Sequence, residues 1–480
     1  MRVIISEFQT GSVEAATKMS ARLQSVRKQF RFAESNNAKQ RFLALLLIAC
    51  VAQIQNTASA DDFGTTQVEQ TAAIDKGLEE TDRALTLELI KLAKFNIHFH
   101  LDANRHQVWR QFSYPILREA GTAGSFAATI IDLRQQAIGL DNPARISRRK
   151  LKDAVRCSIV GNAISGGASA LELAQNSWEM LKATERGYSP ARSLAFVKGV
   201  VKNTDHLLRV RDELAAQELS PQRRRVTTVE TKLIRRIRQQ LLFEFATWSC
   251  HSRDQAWREN TFYTLDSLQN FTRMSAGIVT MKAFNHPELG RGAVICALVG
   301  NSVATVNPIF RDLVGVTVRK HQERKIANEI PCERPEPSAE LDVLQEKLSI
   351  GPQRYWLQKL VALTFRTEKM DVELNREVKE IERYRRVAQQ QSISGPLIGL
   401  TGVASSTLAT VAVYGYPHEP KTAIRLGFAG RNSQLVGQSY ALINTPSTMI
   451  YGMIRKHRLR KRGELPSQIL AERLRRLENY

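Results

Sequence analysis

Three times along this chain, two runs of small, uncharged residues are joined by a short loop that contains proline. The pairs are 121–129 with 160–169, 274–280 with 299–305, and 399–407 with 429–433; the connecting prolines are Pro143, Pro287 and Pro417. Proline interrupts a helix, and small residues let helix backbones come into contact. The pattern therefore predicts three helical hairpins packed through small faces. The candidate packing positions are Gly121, Gly124, Gly161, Gly166, Gly167, Gly277, Gly300, Gly399, Gly402 and Gly430.

A second similarity precedes the hairpins. Residues 95–110 and 243–258 align without a gap at Phe95/Phe243, Arg105/Arg253, Gln107/Gln255, Trp109/Trp257 and Arg110/Arg258. A weaker third copy stands at Tyr384-Arg385. Repeats on this scale describe architecture before chemistry. The expected fold is all-α, with three repeated units of long polar helix plus small-residue helical hairpin, at 61–188, 189–329 and 338–454. A proline-rich linker at 330–337 separates the second from the third, and a basic tail runs over 455–480. Aromatic residues are only 7%, which favours helix over strand. Apolar residues recur at helical spacing: Ile74, Leu78, Leu85, Leu89 and Leu92; Val226, Val229, Leu233, Ile237 and Leu241; Met370, Leu374, Val378 and Ile381. Ser189-Pro190 and Ser220-Pro221 read as helix starts.

The N-terminal 60 residues read as an address. Basic residues through Arg41 precede the apolar run 42–49, and Thr57-Ala-Ser-Ala60 follows, as in a secretory signal with a long basic region. Met19 is an alternative start, and Leu47-Ile-Ala-Cys50 an alternative lipid-attachment box. Cleavage after Ala60 would leave Cys157, Cys250, Cys296 and Cys332 without any C-x-x-C motif. Cys157 and Cys296, in or beside the arms, read as buried free thiols.

A membrane span needs about 20 apolar residues. The first three small-residue arms are bracketed by charge at Glu119 and Asp132, Arg156 and Glu172, and Arg273 and Lys282. The last three, at 292–310, 395–416 and 432–454, are long enough and contain no charge. None, three or six spans are open readings. After a cleaved leader, three spans would put the cluster 455–462 in the cytoplasm, as the positive-inside rule prefers; six would not.

The formal net charge of +22 predicts polyanion partners. Arg223, Arg224, Arg225, Arg235, Arg236 and Arg238 lie on a helix with an apolar face at Leu233, Ile237 and Leu241, which suits an anionic membrane surface. For an exported chain, nucleic acid is disfavoured. Trp109 and Trp257 are candidates for a membrane interface. His98, His100 and Asp102 have types that bind zinc, yet residues i and i+2 diverge on a helix. No phosphate loop, nucleophile elbow or His-Glu-x-x-His occurs. The expectation is a non-enzymatic, membrane-associated protein of a bacterial-type cell envelope or inner membrane. It has a structural or interaction role, no cofactor, anionic lipid as partner, and a second copy or an envelope protein as a further partner. The alternatives are a transport or pore component, and a soluble binding bundle or metal-dependent enzyme using His98 and His100.

Overall fold

The computed structural model describes residues 63–104, 107–217, 221–332, 399–462 and 466–478, with Trp356 and Pro396. Among the described residues there is no strand, so the all-α expectation holds. The helices are α1 (Phe63–Asn104), α2 (Gln107–Asp141), α3 (Arg148–Glu185), α4 (Pro190–Gln217), α5 (Pro221–Ala283), α6 (Gly290–Glu329), α7 (399–415), α8 (Pro420–Lys461) and α9 (Pro466–Glu478). The chain divides into two compact units, Met1–Ala73 and Ile74–Tyr480, and the described core lies within the second. The leader and lipid-attachment readings of 1–60 fall outside the described residues, as do Met370–Ile381 and most of the linker.

One part of the second unit is a bundle with a conventional apolar core. Leu85, Leu89, Leu92 and Ile97 of α1 meet Leu194, Val197 and Leu208 of α4, Leu233, Ile237, Leu241 and Phe245 of α5, Ile326 of α6, and Leu470 and Leu477 of α9. The apolar stripe of α1 is buried from Ile74 to Leu92, as its spacing requires. Phe95 stacks on Phe196 at 4.3 Å and touches Phe99, Tyr188 and Phe245. Arg211 is wholly buried in this core. Its Nε donates to Asp82 at 2.7 Å, and its other nitrogens reach Glu230, the Thr227 carbonyl and Thr231. Ser189 caps α4 through the Arg192 amide, and Gly187 takes the positive φ of 91° that turns α3 into α4.

The other part consists of three hairpins. α2 and α3 turn at Pro143, where Asn142 Oδ1 accepts from the Ala144 amide and Ser147 caps α3. α5 and α6 turn at Pro287, and α7 and α8 at Pro417. The small residues sit where these six arms touch. A Cβ on Gly161 would come within 2.5 Å of the Gly121 carbonyl oxygen; Gly166 faces Asn270 and Phe271; Gly277 faces Ile159; Gly300 faces Arg273. Gly399 faces Thr305, Gly402 faces Asn301, and Gly430 faces Ser405. Gly124 packs on Gly161, whereas Gly167 faces open space.

These contacts run in a cycle: α2 on α3, α3 on α5, α5 on α6, α6 on α7, α7 on α8. The cycle closes because α8 returns to α2. Gly427 packs on Gln136, Ile424 on Gly139, and Arg431 pairs with Asp132 at 2.5 Å. Paired positions run in opposite directions along each neighbouring pair, so all three proline turns lie at one end of the six-helix ring. The helices that lead into the first two hairpins do not stand apart as separate units; α1, α4 and the first half of α5 share one core. α5 runs unbroken through 253–258.

Candidate functional site: polar groups inside the helix ring

The ring inverts the usual order of a protein in water. Large apolar side chains are exposed on every arm. Examples are Ile130 on α2, Val160 and Ile164 on α3, Phe271 and Ile278 on α5, Val299 and Leu313 on α6, Val411 on α7, and Val436 and Ile443 on α8. Leu313 is 60% and Ile443 70% exposed. Monomers in water seldom expose so large a continuous apolar surface. By length and composition, one helical stretch among the described residues, Pro287–Glu329, suffices to cross a membrane.

Polar side chains, in contrast, join the arms. The Asp266 carboxylate of α5 is fully buried. It accepts hydrogen bonds from Gln269 (2.7 Å), Asn270 (3.3 Å), Tyr114 of α2 (3.3 Å) and Ser169 of α3, and pairs with Arg118 of α2 at 3.5 Å. A buried carboxylate is tolerable only with such compensation. Further along α5, Arg273 Nε donates to Asn301 Oδ1 of α6 at 2.8 Å, and Asn301 Nδ2 donates to the Gly402 carbonyl and Ser406 of α7. A third set joins α7, α8 and α2: Ser405 lies 3.4 Å from Gln434, which accepts from Arg431, whose Nε holds Asp132. The polar chain thus follows the helix cycle all the way round.

Two arginines reach from their own helices to others. Arg118 lies on α2, yet its guanidinium reaches Asp266 and sits 5.4 Å from the Phe262 ring, both on α5 beyond the intervening α3. Arg273 bonds α6 and also lies in the field of Arg118 from α2. Arg118 retains 34% side-chain exposure.

The chain matches no family model, no curated protein and no solved structure.

The residues singled out from sequence divide between ring and bundle. The packing glycines lie at arm contacts, Gly167 excepted. Trp257 is exposed on α5, with Arg253 5.7 Å from its ring; the side chain of Trp109 lies outside the described residues. The apolar face behind the arginine run is occupied by the bundle core, since Leu233, Ile237 and Leu241 are buried. Arg223 pairs with Asp75, Arg235 with Asp212 and Arg238 with Asp205; Arg224 and Arg225 are exposed, and Arg236 is half-buried. His98 faces out from α1, His100 stacks on Trp248 at 4.6 Å, and Asp102 pairs with Arg186. No group of three ligand-type side chains that could hold a metal occurs among the described residues. Burial pushes His100 down to about 4, aided by His251, itself lowered chiefly by burial. No disulfide joins the described cysteines; Cys250 is buried, whereas Cys157 and Cys296 are only half-buried.

Sequence reasoning missed Tyr114, Arg118, Ser169 and Asp266, and treated Arg273 only as the edge of an arm. The available signal was the recurrence of single charges, Arg118, Asp132, Asp266 and Arg273, beside runs otherwise built for close apolar packing.

Proposed function

We propose that the six arms cross a lipid bilayer and that the chain is a transport or pore component, with the ring interior as its path. The observation that carries this is the inversion: large apolar side chains are exposed on all six arms, while hydrogen-bonded or ion-paired polar groups lie at each contact between neighbouring arms. Charged residues inside a membrane are costly and are kept where they serve a path or a substrate.

The rims support the same reading. Near the bundle, Trp178 and Trp257 are exposed on neighbouring arms, with Lys182 and Arg253 beside their rings. At the proline turns, Arg291 sits over Tyr414, and Arg148 and Lys152 over Phe284. Aromatic and basic residues favour membrane interfaces. Trp257 and Phe284 are about 40 Å apart along a straight helix, close to the thickness of a bilayer with its headgroups. Anionic lipid is the partner these cations fit.

Six crossings return the chain to its starting side. The bundle and the basic cluster 455–462 then share one side, which the positive-inside rule makes cytoplasmic. That orientation does not need an exported chain. Three repeated units remain part of the proposal. In their favour, the second arm of each hairpin sets a glycine on the first: Gly161 on Gly121, Gly300 on Arg273 and Gln269, Gly430 on Ser405. The purely structural role expected from sequence shares the membrane contact, but a scaffold has no use for arginines projecting into its interior. The reading contains no catalytic step.

Alkaline carbonate washing of membranes from expressing cells, followed by solute flux into liposomes holding the purified protein, tests it. Retention and protein-dependent flux are expected. Release by carbonate would overturn the membrane reading. Retention without flux of anions, cations or neutral solutes would return the chain to the structural role.

A further inference from the structure

We propose that the ring interior holds a binding site for a small oxyanion, a carboxylate or phosphate, centred on Arg273 with Arg118 as its second cation. The inference deepens the transport reading by naming a substrate class, and rests on that reading for its physiological meaning; the site itself requires only the ring.

Arg273 is half-buried, about midway between Trp257 and Phe284 on α5. Its Nε is committed to Asn301, which fixes the plane and direction of the guanidinium. Asn301 is in turn held by the Gly402 carbonyl and Ser406, so the support is itself anchored on a third helix. Among the described residues no carboxylate lies within ion-pair distance of Arg273. The nearest acid that acts on it, Asp266, already receives four hydrogen bonds and the Arg118 ion pair. The terminal nitrogens of Arg273 therefore present donors without an acidic acceptor.

Arg118 adds a second guanidinium from α2, held by Asp266, which stands two helix turns before Arg273 on α5. Two like charges in a low-dielectric interior repel. An arrangement that fixes both, one through Asn301 and one through Asp266, is stabilised when an anion sits between them. Guanidinium groups suit this because their planar donor sets match carboxylate and phosphate oxygens. Glycine at 300 makes room: a Cβ there would come within 2.9 Å of the Arg273 side chain.

The test uses the full chain, purified in detergent, with thermal unfolding followed against citrate and against inorganic phosphate, and with choline and glucose as non-anionic probes. At least one anion should raise the melting temperature in a saturable way, while choline and glucose should not. Arg273→Gln should weaken the half-maximal anion concentration tenfold or more. Arg273→Lys, which keeps the charge, should retain part of the response. Whether citrate or phosphate acts distinguishes carboxylate from phosphate as the source. Absence of stabilisation by either anion, or an unchanged response in a folded Arg273→Gln protein, would overturn the site. Because binding is read without a membrane, its failure is separable from failure of carbonate retention.

Discussion

Gly161 and Gly167 lie on the same helix, and the structure gives them opposite roles. Gly161 has the Gly121 carbonyl and the Ser125 amide where a side chain would go, both of them backbone that cannot swing aside. Gly161→Val should cost about 3 kcal/mol or more, the upper part of the range for overpacking a tight contact. Gly167 meets nothing within 4 Å, so Gly167→Ala should leave the fold intact and raise stability by up to about 1 kcal/mol through helix propensity. Thermal unfolding in detergent compares the two directly; equal losses would mean that the α2–α3 contact is misplaced. Arg211 supplies a second case. Arg211→Met would leave the buried Asp82 without its cation, a change that costs about 3–5 kcal/mol when one partner of a buried pair is lost. Denaturant unfolding of the variant would show it. The sequence marks the glycines, because runs of small residues are a local pattern. Arg211 carries no such mark: in a helix rich in arginine, nothing separates the one buried arginine from its solvated neighbours.

At the scale of elements, the bundle holds its pH dependence in two histidines on facing helices. His100 of α1 packs on Trp248 of α5, and His251 lies near it on α5 with Asp254, Arg258 and Arg319 around it. Both are held below the ordinary histidine value near 6.5, His100 at about 4, chiefly by burial. The unfolded chain therefore takes up protons between pH 6.5 and 4 that the folded bundle refuses. Stability should be full above about pH 6.5 and fall as pH drops through that window. Trp fluorescence and helicity followed through denaturant unfolding at pH 7.5, 6 and 5 would check the sign. His100→Phe, which keeps the ring on Trp248, should flatten the slope. A slope that the variant leaves unchanged would assign it to other groups. The helices of this bundle were legible because water on one side and core on the other imprint the 3.6-residue period, as at Leu85, Leu89 and Leu92. The arms carry no comparable imprint. Their polar and apolar faces have the reverse meaning, and Asp132 and Arg273 turn toward other helices, so a count of consecutive uncharged residues stops short of each arm's true length.

At the scale of the whole ring, the feature least legible in sequence is the return of α8 to α2. It joins positions such as Gln136 and Gly427 that are remote along the chain, and no local pattern announces the partnership. Yet this closure decides whether the polar groups face an enclosed interior or an open groove. With Cys50, Cys157, Cys250, Cys296 and Cys332 replaced by serine or alanine, Gln136→Cys and Gly427→Cys place two thiols at that seam. A Cβ at 427 lies 3.4 Å from Gln136 Cδ, so the two Cβ atoms stand about one side-chain length apart, within reach of a short bis-thiol reagent. A protease site inserted within 330–337 then reports the outcome. Crosslinked protein should remain one band after cutting until the link is cleaved, because the link spans the cut. Gln136→Cys with Gly402→Cys is the matched control: Gly402 packs on Asn301 of α6, on another seam, and should stay unlinked. Equal linking of both pairs, or of neither, would mean that α8 does not close on α2. The interior arginines would then face an open groove, and a path through the ring would lose its walls.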